Sequence, residues 1–472
     1  MRSETIVRIV PGEQYTPYSL ARKLGAKVLL ESSSLEKGKE RYSVLLVREA
    51  FQLLQDKRGI VFRRSGEDKI FRVDSKARDI LDVCLYFANQ HQPVNQGFPF
   101  PSGGVGYISY EFAQHCDNIK LAQQPDPLNL PDACYLFGHV FVIFDHYTDM
   151  LVLLGFNYKE ASIDLEEAFG ELEFLLGAPS VDLETDEANK FPATILSTEK
   201  QEEEYKHMVS EVRREVIAGN LLQAVPSRRV EVRTNVNAFD AYRQLRRNNP
   251  SPYLFYADFG EYQIFGASPE THVKVQHGIA TIRPIAGTRR RGKDHAEDLA
   301  LEAELLGDQK ERAEHLMLVD LARNDLGRIS SPGSVKVSSY MHIERFSHVM
   351  HIVSQVDSSL SEGRTGIDAL RATFPAGTVS GAPKIRAMEI VSRLEPVARR
   401  FYAGAMGYIE PNGDLDTCIM IRSAYQSGDL MVFQAGGGIV FDSEPERELQ
   451  ETKEKLGAVL AAVGLAEKGA KA

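Results

Sequence analysis

Tryptophan is absent from the chain, and only four cysteines, Cys84, Cys116, Cys134 and Cys418, are scattered along its 472 residues. With no Cys-x-x-Cys pair among them, neither a zinc site nor a disulfide framework is expected, and a reducing cytoplasm fits. Long apolar runs are missing too. None approaches about 18 residues, MRSETIVRIV has no apolar signal core, and EKGAKA has no lipidation box. A soluble intracellular protein with no membrane partner is therefore expected. Positive charge is in deficit, at a formal net charge of -11. A nucleic-acid partner is not expected either, because phosphate contacts need a clustered basic excess.

What is present is enough apolar residue, 43% of the chain, to bury a large core. At roughly 150 residues per domain we expect two domains, 1–190 and 191–472. The segment GAPSVDLETDEANKFPATILST, polar and turn-rich between periodic stretches, marks the boundary. Before it, LGAKVLLES, YSVLLV, AFQLLQ and GGVGYISYEF read as strands and turns, and DHYTD joins two β-rich runs within 135–156 as a hairpin. After it, Thr198 with Gln201 forms a capping box for a long helix ended by Gly219, followed by paired strands, helices and a late hairpin. Strands and helices in separate runs predict an α+β fold with large antiparallel sheets packed as a sandwich.

Three stretches carry chemistry. In FDSEPERELQETKEKLGAVLAAV, a Ser443 to Glu446 capping box opens a helix that groups Glu448, Glu451 and Lys455 beside an apolar arc. A solvated Glu to Lys pair would look the same. Directly upstream, AGGGIVF sets Gly436, Gly437 and Gly438 after a β-run, as an anion cradle of bare N–H groups or as a plain turn. In DQKERAEHLMLVDLARNDLGR, apolar residues circle the helix from Leu316 to Ala322, which predicts burial, and Glu311 and Glu314 sit one turn upstream. Such carboxylates need a partner: Mg²⁺, or Arg312, Arg323 or Lys310. In FPAGTVSGAPKIRAMEI, Pro383 opens a helix with Thr378 and Ser380 beside it, able to hold a carboxylate. No GK[ST] closes that loop, which argues against a nucleotide.

These stretches, with PIAGTRRRG, FSHVMHIVSQV, YAGAMGYI, CIMIRSA, QAVPSRR and FGASPET, resemble the chorismate-utilising enzymes, above all their anthranilate synthase large-component branch. The resemblance runs from about residue 223 to 455. It implies that Glu314 and Glu451 hold Mg²⁺, with Glu311 and Glu448 supporting, for the ring carboxylate of chorismate. Tyr402, Arg422 and the backbone of Gly436 to Gly438 would hold the enolpyruvyl carboxylate; Lys455, Gln223, Thr288 and Thr378 would complete the polar lining. Glu270 resembles the acid that helps the C4 hydroxyl leave, and His351 the residue linked to loss of pyruvate, although a lone histidine in HVMHIV reads equally as core packing. Relatives that make aminodeoxychorismate have lysine where this chain has Ala286, and isochorismate-forming relatives have lysine at Gln223. With neither amine present, ammonia is the expected nucleophile. Arg289, Arg290 and Arg291 read as scaffold ion pairs.

None of the four cysteines sits in a glycine-rich elbow, so a separate glutamine amidotransferase subunit is implied, in a heterotetramer. LLES and NPSPY resemble tryptophan-sensing segments, which makes Leu30, Glu31, Ser32, Pro252, Tyr253 and Leu254 candidate inhibitor contacts, with the Glu31 carboxylate taking the ammonium group. As plain structure they would be a strand end and a turn. The alternatives are an enzyme that stops at an aminated intermediate, and a non-catalytic chorismate or amino-acid sensor.

Overall fold

The computed structural model describes residues 4–32, 41–71, 77–92, 97–179, 192–197, 199–346 and 349–465. Two long strands organise it. Tyr42–Asp56, read from the sequence as two strands, is one, and it pairs along nearly its whole length with Ala133–Asp145. The register slips between Leu46 and Phe51, so both strands bend there and carry on into a second layer, as bulged strands do. The first half of Tyr42–Asp56, paired with the last half of Ala133–Asp145, belongs to a sheet that runs outward through Val28–Glu31, Tyr253–Asp258, Gln263–Ser268, Ser423–Ser427, Leu430–Gly436 and Ser227–Thr234. The last half of Tyr42–Asp56, paired with the first half of Ala133–Asp145, continues through Val105–Ile108, Ala405–Ile409, Leu415–Ile419, Thr271–Gln276, Ile279–Ile282 and Val349–Ser359. All of these pairings are antiparallel.

Alternation along the strands decides what lies between the layers. Val28, Val44 and Leu46 enter one core with Phe51, Tyr107 and Phe137, whereas Leu29 and Leu45 point to the other face and pack with Leu20, Tyr242 and Leu456 from helices. The result is the expected sandwich with helices outside. The hairpin at DHYTD forms between Ala133–Asp145 and Met150–Phe156.

Helix boundaries differ in detail. The helix Glu199–Ile217 is followed by Gly219 at φ 78°, but Thr198 lies outside the described residues. The last helix runs Pro445–Ala461 with Glu444 as N-cap and no side-chain cap. Pro445 sets the first turn one residue later than the capping box requires, and the Ser443 hydroxyl instead accepts from the Val440 N–H. The helix Gln309–Gly327 is capped by Asp308 and is only half-buried: Leu318, Val319 and Ala322 are inside, but Leu316 is 45% exposed. Pro383 stands at the N-cap of Lys384–Leu394 rather than in its first turn. No helix among the described residues is long and apolar enough to cross a membrane.

Candidate active site

The segment PIAGTRRRG forms the strand Ile285–Arg290, which pairs with Val349–Ser359 through a bulge between Ala286 and Thr288. The extra residue is Gly287, at φ 71°, where an added Cβ would also lie 3.2 Å from Glu311 Oε2. The bulge aims two oxygens at His351: Gly287 O is 3.0 Å and Thr288 Oγ1 3.1 Å from Nδ1. A carbonyl oxygen only accepts, so Nδ1 carries the proton and Nε2 keeps its lone pair. Burial holds His351 below the usual imidazole range, helped by Arg422 and opposed by Gly287 O and Glu344. His351 is therefore a neutral base at Nε2. Ala286 pairs with Ile352 and brings no amine.

Glu270 is shifted the other way. Burial pushes its carboxyl up to about 8, against the lowering influence of Thr378, Arg422 and Lys455. At neutral pH it holds its proton.

Arg422 sits at φ 51°, a strained backbone for arginine, in the turn before Ser423–Ser427. Burial lowers its pKa, Tyr402, Glu451 and Glu270 raise it, and among the described residues no ion pair occupies its guanidinium. A half-buried cation with that much unused donor capacity fits a carboxylate. Tyr402, which is buried, lies beside Gly436.

Glu314 is raised by burial and then by Glu311 and Glu451, and Glu448 by burial and Glu451. Lys455 supplies a close cation: its ammonium pairs with Glu451 at 2.6 Å and donates to Gly436 O at 2.9 Å. Glu311 is held at 3.2 Å by Arg289, none of the three partners considered from sequence, while Arg290 pairs with Glu297 and Arg291 with Asp298. The arginine run is thus scaffold, as read. Gln223 donates to Glu314 at 3.4 Å and fills the space over Gly438, where a Cβ would fall 2.0 Å from its Nε2. Gly437 is enclosed by Glu448 and by the Tyr205 hydroxyl, each 3.2 Å from where its Cβ would be, and its N–H points to Pro226 O at 3.3 Å. The glycines are needed for room more than for φ. Tyr205, buried and without a hydrogen-bond partner for its hydroxyl among the described residues, was invisible in the sequence because it comes from a helix that reads as solvated.

Carboxylates crowded enough to raise one another, with one lysine among them, suit a divalent cation. Among the described residues no three His, Cys, Asp or Glu converge tightly enough to cage an ion unaided. Mg²⁺ needs no such cage, since one or two carboxylates suffice when waters and substrate oxygens complete its shell.

The six candidate inhibitor contacts meet in a second place. Val28–Glu31 and Tyr253–Asp258 are neighbouring strands with Glu31 opposite Leu254, and Leu30, Glu31, Ser32, Pro252, Tyr253 and Leu254 all line one cavity of about 470 Å³. The Ser32 hydroxyl is buried there without a partner among the described residues. Glu31 is not available to an ammonium group. Its carboxylate accepts from Arg246 Nε at 2.6 Å and Tyr242 Oη at 2.7 Å, partners more than 200 residues away in sequence. The cavity also contains Glu410, raised to about 7 by burial.

The sequence profile of the chorismate binding enzymes matches residues 49–461. The anthranilate synthase component 1 of Spirochaeta aurantia is 60% identical over 98% of this chain and 96% of its own. That of Pseudomonas aeruginosa is 44% identical over 84% and 82%. A crystal structure of anthranilate synthase component I from Streptococcus pneumoniae superposes with a TM-score of 0.78 at 36% identity, covering 89% of this chain and 92% of that one.

Proposed function

The chain belongs to the chorismate binding enzymes, and from that premise we propose that it works as an anthranilate synthase large component, converting chorismate and ammonia to anthranilate and pyruvate. One observation carries the reading. A single site holds an acid kept protonated, Glu270, and a base kept neutral, His351, with opposite shifts produced by burial. Paired groups pushed apart in this way divide acid and base roles at one pH.

The steps follow from what each group can do. Arg422, with Tyr402 beside it, binds the enolpyruvyl carboxylate, and Lys455 keeps Glu451 and the Gly436 carbonyl in place. Glu270 gives its proton to the C4 oxygen, which leaves as water. Ammonia adds at C2 and sheds a proton. With no lysine at Ala286 or Gln223, no side-chain amine competes for that carbon. His351 Nε2, its ring fixed by Gly287 and Thr288, removes the C2 proton as the C3 ether bond breaks, and the released enolpyruvate takes up a proton to become pyruvate. Glu314 and Glu451, supported by Glu311 and Glu448, would hold Mg²⁺, which neutralises and orients the ring carboxylate when bound.

Ammonia would come from a glutamine amidotransferase subunit, because burial raises all four thiols of this chain and a nucleophilic thiolate is disfavoured at each. The cavity between Val28–Glu31 and Tyr253–Asp258 would take tryptophan as inhibitor, with the ammonium group meeting Glu410 rather than Glu31. The test is direct: purified chain, chorismate, Mg²⁺ and an ammonium salt, followed by anthranilate fluorescence. Absence of anthranilate would overturn the reading.

A further inference from the structure

Beside Glu270, in a cavity that neither Arg422 nor Lys455 lines, lie polar atoms that these steps do not use. Glu270 and His272 stand two residues apart at the start of the strand Thr271–Gln276, and both line a cavity of about 30 Å³ together with Thr378 and Asp325. His272 is 2% exposed, packs near the Phe374 ring, and among the described residues has no hydrogen-bond partner on either ring nitrogen. The Thr378 hydroxyl oxygen is buried and lacks a partner that meets hydrogen-bond geometry. A water needs roughly 10–15 Å³ of such space and two to four polar neighbours, and this cavity offers both.

We infer that a water molecule in this cavity joins Glu270, Thr378 and His272, and that His272 acts through it as a positioning residue for the Glu270 carboxyl. The inference rests on Glu270 being the acid of the proposed reaction, which must exist as a carboxyl before proton transfer and as a carboxylate after it. A buried carboxylate needs a donor, and the water supplies one O–H while the imidazole N–H donates to the water. When Glu270 is a carboxyl its own O–H donates to the water, which turns an O–H to the Thr378 oxygen while the same imidazole N–H goes on donating to it. One imidazole N–H thus serves both states without His272 changing charge. It stays neutral because burial and the Lys384 cation hold its pKa down, to about 3. The charged groups that act on the pair are Arg422 and Lys455 at Glu270, and at His272 Lys384, bound to Asp325 at 2.6 Å. As Lys384 is already matched by Asp325, the uncharged stabilisers of an ionised Glu270 are the Thr378 hydroxyl and the water that His272 holds.

The test combines spectroscopy and turnover. The infrared band of the protonated Glu270 carboxyl, assigned by its loss in Glu270→Gln, is titrated in the wild type, His272→Leu and His272→Gln. In His272→Leu the water loses its anchor and ionised Glu270 loses one of its donors, so the band should titrate about one pH unit higher. In the ammonium assay the same variant, now a weaker acid, should lose about tenfold in kcat with KM for chorismate nearly unchanged. His272→Gln has both a donor and an acceptor and should recover most of both effects. His272→Met replaces the leucine variant if that one misfolds. An unmoved Glu270 titration in the apolar variant, or a glutamine variant no better than it, would overturn the inference. If the wild type makes no anthranilate the proposed function fails, and the infrared titration still decides the role of His272.

Discussion

Thr288 and His351 face each other across an antiparallel pair, with the threonine oxygen 3.1 Å from Nδ1 and the glycine of the bulge presenting its carbonyl at 3.0 Å to the same atom. The carbonyl, which can only accept, fixes the tautomer. His351→Gln should therefore slow anthranilate formation about 100-fold or more, within the range for a lost general base, while chorismate consumption falls much less and an aminated, non-aromatic product accumulates. Chromatography of the products checks this. Parallel loss of both rates would move His351 into an earlier step.

Glu270 sets the second expectation. Its raised carboxyl must be protonated to act, so kcat at constant free ammonia should fall as pH rises through about 8, and Glu270→Gln should lose the activity altogether. The linkage has a sign of its own. A carboxyl raised in the folded state relative to its ordinary value near 4.5 destabilises the fold progressively as pH climbs from there to about 8. Glu270→Gln should accordingly melt higher than the wild type at pH 8 and no higher at pH 4, as measured by calorimetry.

The carboxylate cluster gives the third. Removing Mg²⁺ with a chelator should abolish turnover, and Glu314→Gln or Glu451→Gln should each weaken Mg²⁺ binding and activity by at least about tenfold with folding retained. Titration calorimetry with Mg²⁺ in the presence of chorismate reads the binding directly. Normal affinity in both variants would assign Glu451 to Lys455 alone and leave no metal role.

Glutamine provides a fourth. With every thiol buried or half-buried and raised, the isolated chain should use ammonium salts at raised pH and leave glutamine untouched. Glutamate release from glutamine by the chain alone would refute the need for a partner subunit.

Tryptophan is the fifth. Wild-type turnover should fall with added tryptophan, and Ser32→Phe, which fills part of the 470 Å³ cavity, should raise the concentration needed for half-inhibition by about tenfold or more. Calorimetry should show the matching loss of tryptophan binding. Saturating tryptophan without effect on the wild type would leave the two segments as neighbouring strands and nothing more.

The parts of the site legible in the sequence are those whose chemistry is set by spacing along one element. Glu448, Glu451 and Lys455 share a helix flank. Contacts across the sheet were not legible. Glu31 offers a carboxylate on paper, but Arg246 and Tyr242 consume it. Glu311 has three basic neighbours in sequence and pairs with none of them, because the strand Ile285–Arg290 brings Arg289 across instead. The same limit applies to the fold. Hairpins and helices follow from local pattern, but the continuity of Tyr42–Asp56 depends on pairing with Ala133–Asp145, and a register slip leaves no mark in composition.

The strand Val28–Glu31 lies between Tyr42–Asp56 and Tyr253–Asp258, and Val105–Ile108 lies between Ala133–Asp145 and Ala405–Ile409. Backbone hydrogen bonds therefore stitch the first third of the chain to the rest at two separate seams. A protease nick between residues 179 and 192 would leave two fragments still zipped together. A gene truncated to begin at 192 would produce something quite different, a catalytic half with two bare strand edges. Such edges recruit any strand they meet, so the shortened product would be bound for inclusion bodies unless the missing piece were synthesised beside it.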